Sequence, residues 1–376
     1  MPRLLAECII LLSMTSVPLH PFSVSPRVVE VVWGGQRLAK LLDRALPTDR
    51  PIGETWEVHD DDLIEDGPFT GQSLAMLARA MPGELLGSRS SGRDPRGPAF
   101  PLLLKFIDAA GTLSVQVHPD DVYAGVREAG QLGKTESWYI LSADPGAKLY
   151  AGLRDGIDRV ELASAISENR LEPHLMSFAV QPGDVIYMPA GTVHAIGAGV
   201  TLLELQQSST ITYRLYDWGR LGSDGKARTL HIAQSLDVIL FPQPTIRATK
   251  GLRVRDANGE RILLTVGPYF LLEQLVGRSI GNPAGQTFHL LTNLDDETIV
   301  DGETFGQRVL GRCQTLIIPA AAGQYTVTSA TGGALLRSSV PDLHEDVVAP
   351  ARRAGYSDTE IAMLGDLTSV LGNAGR

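Results

Sequence analysis

Four side chains in three separated stretches have the types and spacing of a metal site. Gln116 and His118 fall in Thr112-Leu-Ser-Val-Gln-Val-His-Pro-Asp-Asp121, and Glu136 in Gly133-Lys-Thr-Glu-Ser-Trp-Tyr-Ile-Leu141. His194 closes Gly183-Asp-Val-Ile-Tyr-Met-Pro-Ala-Gly-Thr-Val-His194. Two imidazoles, a carboxylate and a neutral amide presented from strands suit a divalent cation such as zinc, with one position left open for a ligand.

The elements that must position them follow from the same stretches. Alternate side chains of an extended chain share a face. Ser114, Gln116 and His118 therefore line something polar while Leu113, Val115 and Val117 enter a core. Lys134, Glu136 and Trp138 share a face by the same rule. Gly183 to His194 reads as a strand, a tight turn set by Pro189 and Gly191, and a return strand that delivers the imidazole at a fixed height.

Around this centre, residues 100–220 alternate short strands and turns at the spacing of an all-β barrel or sandwich. Helical inserts are expected at 120–132, capped by Asp120 or Asp121, and at 158–167. Upstream, β-like runs at 21–32 and 51–59 flank a turn at Trp33-Gly-Gly35 and a helical stretch at 36–45, and 74–80 and 83–86 read as short amphipathic pieces. A helix over 229–240 is closed by Pro242. Short β runs return at 261–266, 270–275, 287–292, 315–318, 324–328 and 334–338, as in a second small β barrel without metal ligands. His289 stands alone there on an apolar strand and reads as a packed histidine. The expected division is an N-terminal extension at 1–20 without order, a catalytic domain at 21–240, a C-terminal β domain at 255–345, and a tail at 346–376 with a surface helix.

Composition excludes several function classes. The chain has 376 residues, 43% hydrophobic and 20% charged, as in an ordinary globular protein with room for a sizeable core. A formal net charge of −10 argues against a nucleic-acid partner, although one or two well-placed cations suffice for a small phosphorylated substrate. Cys8 and Cys313 belong to no metal or disulfide pattern, which fits a reducing cytoplasm. The apolar stretch at 4–17 carries Glu7 and is too short to span a membrane.

Taken together, Gln116-x-His118, Glu136 and Pro189-x-Gly191-x-x-His194 resemble the ligand order of the cupins. Gln116 replaces the usual first histidine, and a helical insert widens the gap to Glu136. Both departures point to one branch of that superfamily and away from an iron oxygenase, and the chain resembles the type I mannose-6-phosphate isomerases in their short bacterial form. The resemblance continues through Val32-Trp-Gly-Gly35, Ile52-Gly-Glu-Thr-Trp-Glu-Val58, Phe100-Pro-Leu-Leu-Leu-Lys-Phe-Ile-Asp-Ala109, Leu203-Glu-Leu-Gln-Gln-Ser208 and Thr212-Tyr-Arg-Leu-Tyr-Asp-Trp218. It covers roughly residues 20 to 340.

The resemblance implies a mainly β fold with helical inserts: a cupin-type jelly-roll barrel carrying the metal site, plus a smaller cupin-like β domain. It implies one Zn2+ per chain held by Gln116, His118, Glu136 and His194. Arg214, Glu204 and Lys134 are implied as catalytic, with Ser114, Lys134 and Trp56 in the substrate pocket. The implied reaction interconverts mannose 6-phosphate and fructose 6-phosphate through an enediol, with Glu204 or Lys134 as base and Arg214, Lys134 or Arg220 as phosphate anchor. The implied partner is a hexose phosphate, with neither nucleic acid nor membrane, in a cytoplasmic monomer or homodimer. Competing readings are a non-catalytic cupin that binds sugar phosphates and another metal-dependent cupin enzyme. A bland reading of Arg214 alone is a salt bridge to Asp217 or Glu204.

Overall fold

The computed structural model describes residues 18–90, 94, 96–222, 225–329 and 334–372. The extension expected at 1–20 lies outside these residues except for 18–20, and Cys8 lies outside them too. The chain divides into two compact units. Among the described residues, one comprises those of 28–56 and 103–250 and the other those of 18–27, 57–102 and 251–372, so that 57–102 clusters with the C-terminal half.

The first unit is built on two antiparallel sheets. A seven-stranded sheet has the order Arg27–Gly35, Ile52–Val58, Leu102–Ala109, Val200–Gln207, Glu136–Ala143, Val185–Met188, Ala248–Thr249. A five-stranded sheet has the order Tyr213–Tyr216, Val115–Val117, His194–Ile196, Lys148–Leu153, Leu175–Ala179. Ile107, Trp138, Ile140, Ile186 and Leu202 of the first sheet pack with Leu149, Ala151 and Ile196 of the second in one core. The other face of the five-stranded sheet presents Val115, Val117, Ala195, Tyr213 and Leu215 to a second core that includes helix residues Ala124, Leu162 and Ile166. The period-2 alternation thus puts Val115 and Val117 under the helices, and Gln116 on the opposite face.

The expected inserts are present but shorter. Asp120 caps the helix Asp121–Arg127 by accepting from the Tyr123 amide, and the chain then leaves the helix at Ala129 and Gly130, both with positive φ. Asp158 caps Arg159–Ser167 in the same way. The helix expected over 229–240 spans Ile232–Val238. Trp33-Gly-Gly35 is not a turn. It continues the strand Arg27–Gly35, and a Cβ on Gly34 would stand 2.4 Å from the Gly53 nitrogen, so the glycine permits close approach of the neighbouring strand.

The second unit carries a six-stranded sheet in the order Leu252–Asp256, Gly259–Val266, Leu271–Val276, Leu335–Ser339, His289–Asn293, Thr315–Ile318. It also carries a four-stranded sheet in the order Arg278–Gly281, Tyr325–Thr328, Glu297–Gly302, Gly306–Gly311. The strands at 252, 278, 297 and 306 escaped the sequence reading because each carries no more than two apolar residues among charged, polar and glycine positions. Glu297–Gly302, for instance, buries Thr298, Val300 and Gly302 and exposes the residues between. The tail is not simply a surface helix: Asp358–Ala362 is one short helix, and Ile361, Leu364 and Leu367 pack with Val254, Leu263 and Val266 in the core. No helix among the described residues is long and apolar enough to cross a membrane.

Candidate metal centre and active site

Backbone register brings the predicted ligands together. Arg214 pairs with Gln116, and Gln116 with His194, so three neighbouring strands of the five-stranded sheet carry these residues in one row. Across the barrel, Glu136 and Trp138 lie on the strand Glu136–Ala143, where Trp138 pairs with Glu204. Gly191 makes the delivering turn. Its φ is +82°, and a Cβ there would stand 2.7 Å from Leu240 Cγ, so glycine is the residue the turn accepts. The Gly191 amide donates to the His118 carbonyl at 2.8 Å, tying the His194 turn to the strand of the other imidazole.

The two histidines are fixed by their second nitrogens. His118 Nδ1 lies 2.8 Å from the Ile211 carbonyl and His194 Nδ1 lies 2.9 Å from the Thr192 carbonyl. A carbonyl can only accept, so each Nδ1 carries a proton and each ring turns inward its Nε2, the nitrogen that holds the lone pair in the neutral form. His118 Nε2 is 3.4 Å from Glu136 Oε2, and His194 Nε2 is 3.2 Å from Glu136 Oε1. Gln116 Nε2 is 3.3 Å from His194 Nε2, and rotating the amide places its oxygen there instead.

These groups fit a metal. His118, Glu136 and His194 are buried, with their ligand atoms within 4.8 Å of one another. Both Glu136 oxygens are buried and accept no well-formed hydrogen bond, although Lys134 Nζ lies 2.7 Å from Oε2. Lone pairs of two imidazoles facing a carboxylate at hydrogen-bond range repel unless a cation joins them. The spacing matches donors about 2.1 Å from a tetrahedral zinc, which stand about 3.4 Å apart.

The electrostatics keep the donors in their binding forms. Burial, reinforced by the Lys134 ammonium, pushes His118 well below its ordinary value and leaves it neutral. Burial alone would raise the Glu136 carboxyl, but Lys134, His118 and His194 hold it well below the usual carboxylate range.

The remaining predicted residues divide between two sides of the centre. Lys134 Nζ is 3.2 Å from His118 Nε2 and 3.9 Å from Glu204 Oε1. Glu204 Oε2 accepts from Trp138 Nε1 at 3.0 Å. On the other side Arg214 Nε donates to Ser114 Oγ at 3.1 Å and Nη1 to the Thr229 carbonyl at 3.0 Å. Arg214 makes no ion pair among the described residues, so the structural salt bridge to Asp217 or Glu204 is not formed. Asp217 is instead held by Arg220 at 2.7 Å and by Arg228 through its Nε, also at 2.7 Å. Burial and the nearby Arg228 lower the Arg214 guanidinium from its ordinary value. Trp56 sits beside Glu54, to which its Nε1 donates at 2.7 Å.

Sequence reasoning missed Lys105, Glu54 and Arg228. Lys105 is buried on the strand Leu102–Ala109, with its Nζ 3.2 Å from Glu204 Oε1, 3.5 Å from Glu54 Oε2 and 5.0 Å from the Trp56 ring centroid. Its burial would lower its pKa, yet Glu54 and Glu204 raise it overall. The signal was present: one charge inside an otherwise apolar buried strand requires a counter-charge. Arg228 lies in a polar segment and had none.

Residues 22–137 match the model of the type I phosphomannose isomerase catalytic domain. Mannose-6-phosphate isomerase ManA of Bacillus subtilis (strain 168) is 39% identical over 61% of this chain and 71% of its own. Mannose-6-phosphate isomerase of Streptococcus mutans serotype c is 37% identical over 67% of this chain and 77% of its own. GmuF of Bacillus subtilis is 34% identical over 82% of this chain and 96% of its own. Among solved structures, mannose 6-phosphate isomerase from Bacillus subtilis superposes with a TM-score of 0.74 at 28% identity, covering 85% of this chain and 99% of that one. A zinc-bound mannose 6-phosphate isomerase shares the fold with a TM-score of 0.67 at 15% identity, covering 85% of this chain and 99% of that one.

Proposed function

The chain belongs to the type I phosphomannose isomerase family, and on that premise we propose that it is a zinc-dependent aldose–ketose isomerase interconverting mannose 6-phosphate and fructose 6-phosphate. The observation that carries this reading is the pair of inward Nε2 lone pairs facing the Glu136 carboxylate, with Glu204, Lys134 and Arg214 around them. Gln116, His118, Glu136 and His194 would hold the zinc. When bound, it supplies Lewis acidity toward the sugar oxygens, worth several kcal/mol to a developing negative charge.

In this reading Glu204 moves the proton, taking it from C2 of the open-chain aldose and returning it to C1 of the enediol. Its Oε1 is buried without a well-formed hydrogen bond, while the Trp138 indole fixes Oε2. Lys134, an ammonium held against Glu136, serves as a donor to the substrate oxygens. Arg214 contributes its charge from the row beside Gln116, with Nε and Nη1 tethered to neutral partners and Nη2 left for the substrate. The phosphate anchor is the arginine group around Asp217. Arg220 and Arg228 share the Asp217 carboxylate, and together with Arg214 nearby they leave net positive charge in an otherwise acidic protein.

A coupled assay from mannose 6-phosphate to fructose 6-phosphate, with and without chelator, tests the whole reading. Activity is expected to vanish on chelation and to return with zinc. Glu204→Gln should lower kcat by about 10²–10⁴, and Arg214→Ala by about 10²–10³, both with zinc still bound. Near-normal turnover in both variants would overturn their roles, and full activity in metal-free protein would overturn the metal dependence.

A further inference from the structure

The second unit contains a cavity of about 360 Å³, lined from both of its sheets by Leu271, Glu273, Ser279, His289 and Arg337, among others. None of these residues takes part in the metal centre, and the volume falls in the range of small-molecule sites.

Among the described residues, one buried hydroxyl on its wall lacks a partner and one imidazole there is engaged at a single nitrogen. Ser279 is 3% exposed and its Oγ makes no hydrogen bond. His289 is 6% exposed, and its Nδ1 lies 2.9 Å from the Tyr325 hydroxyl. Arg337 also hydrogen-bonds Tyr325. A guanidinium only donates, so the hydroxyl accepts from Arg337 and passes its own proton toward His289 Nδ1. Burial, with Arg337 and Arg89 nearby, keeps that imidazole neutral, so Nε2 carries a hydrogen. This N–H has no partner among the described residues. A buried hydroxyl left without a partner is costly unless something occupies the cavity, which His289 also lines.

Three arginines on the cavity wall are already matched by carboxylates, while Arg353, an exposed lining residue, makes no ion pair among the described residues. Arg337 Nη2 is 2.8 Å from Glu273 Oε2, Arg261 Nε is 2.7 Å from Glu273 Oε1, and Arg89 is 2.6 Å from Asp346. An ionic ligand beside Glu273 would have to break one of these pairs or stand against a like charge. Leu271, Leu275 and Ile280 supply apolar wall beside the polar groups, which suits a molecule with C–H faces and hydroxyl edges.

We propose that this cavity is a second ligand site, for a small uncharged polyhydroxylated molecule of the monosaccharide or hexitol class, held through Ser279 Oγ and His289 Nε2. The test is calorimetric titration of the full chain with D-mannitol and D-glucose, of which mannitol has no carbonyl to isomerise. At least one should bind wild type and His118→Ala equally. Ser279→Ala should bind about tenfold more weakly, with its conversion of mannose 6-phosphate unchanged. No saturable binding by either sugar, unchanged affinity in Ser279→Ala, or binding lost in His118→Ala would each overturn the proposal. If Ser279→Ala does not fold, crystals of the wild type soaked in mannitol decide. The molecule must lie between Ser279 and His289, and density elsewhere or none overturns the assignment.

Discussion

Trp138 and Glu204 face each other across a strand pair, and the indole Nε1 donates to Glu204 Oε2 at 3.0 Å. Both are buried, so this bond orients a carboxylate that also faces Lys105 and Lys134. Trp138→Phe removes the donor and keeps an aromatic ring. Steady-state kinetics should show kcat reduced about tenfold with KM little changed, since the lost bond positions the proposed proton-transfer group and does not hold the substrate. The smaller ring should also cost about 1–3 kcal/mol of stability in denaturant unfolding. An unchanged kcat would mean the indole is only packing.

Arg228 and Arg220 share Asp217, and Arg228 makes the two-pronged contact. Removing Arg228 leaves Asp217 paired and the scaffold intact, while taking a positive charge from the proposed phosphate anchor. Arg228→Ala should raise KM for mannose 6-phosphate about tenfold and leave kcat near normal. A fall confined to kcat would place the phosphate elsewhere.

Gly191 is the tightest point of the turn that delivers His194. Ala there would be forced to φ +82° with its Cβ 2.7 Å from Leu240 Cγ and 2.9 Å from the Val238 carbonyl. Gly191→Ala should lose about 1–3 kcal/mol in thermal unfolding. It should also bind zinc more weakly in a competition titration, because the same residue hydrogen-bonds the His118 backbone. Zinc affinity equal to wild type would separate the turn from the metal centre.

Asp62 is buried beside Arg27 in the second unit, and burial raises its pKa to about 7 despite the arginine 3.3 Å away. The unfolded value is about 4. Between these pH values the folded chain holds a proton that the unfolded chain releases, so stability falls as pH rises through that window. Asp62→Asn should flatten the dependence, gaining about 1–2 kcal/mol over wild type at pH 8 and less at pH 5. Parallel unfolding curves for the two proteins at both pH values would refute the assignment.

Much of the metal centre was legible in the sequence because its determinants are local. Strand alternation put Gln116 and His118 opposite Val115 and Val117, and the Pro189–Gly191 turn announced His194. Asp120 and Asp158 marked helix starts through their own side-chain caps. The four strands missed in the second unit carry too few apolar residues to show a pattern, although Leu252–Asp256 closes a hairpin with Gly259–Val266 and Glu297–Gly302 with Gly306–Gly311. The tail helix read as surface owes its burial to neighbours distant in the chain. Ile361 and Leu364 become core residues only because Val254 and Val266 cover them.

Residue type and periodicity therefore determined which side chains could bind a metal and which face of each strand carried them. The tertiary structure decided their partners. It gave Lys105 the carboxylates of Glu54 and Glu204, and it gave Asp217 to Arg220 and Arg228 and not to Arg214. It also turned both Nε2 atoms inward through the Ile211 and Thr192 carbonyls. The reason is physical: hydrogen bonds and ion pairs form with whatever lies within about 3 Å in space, and only the packed sheets set which residues, a hundred positions apart in the chain for Ser114 and Arg214, meet at that distance.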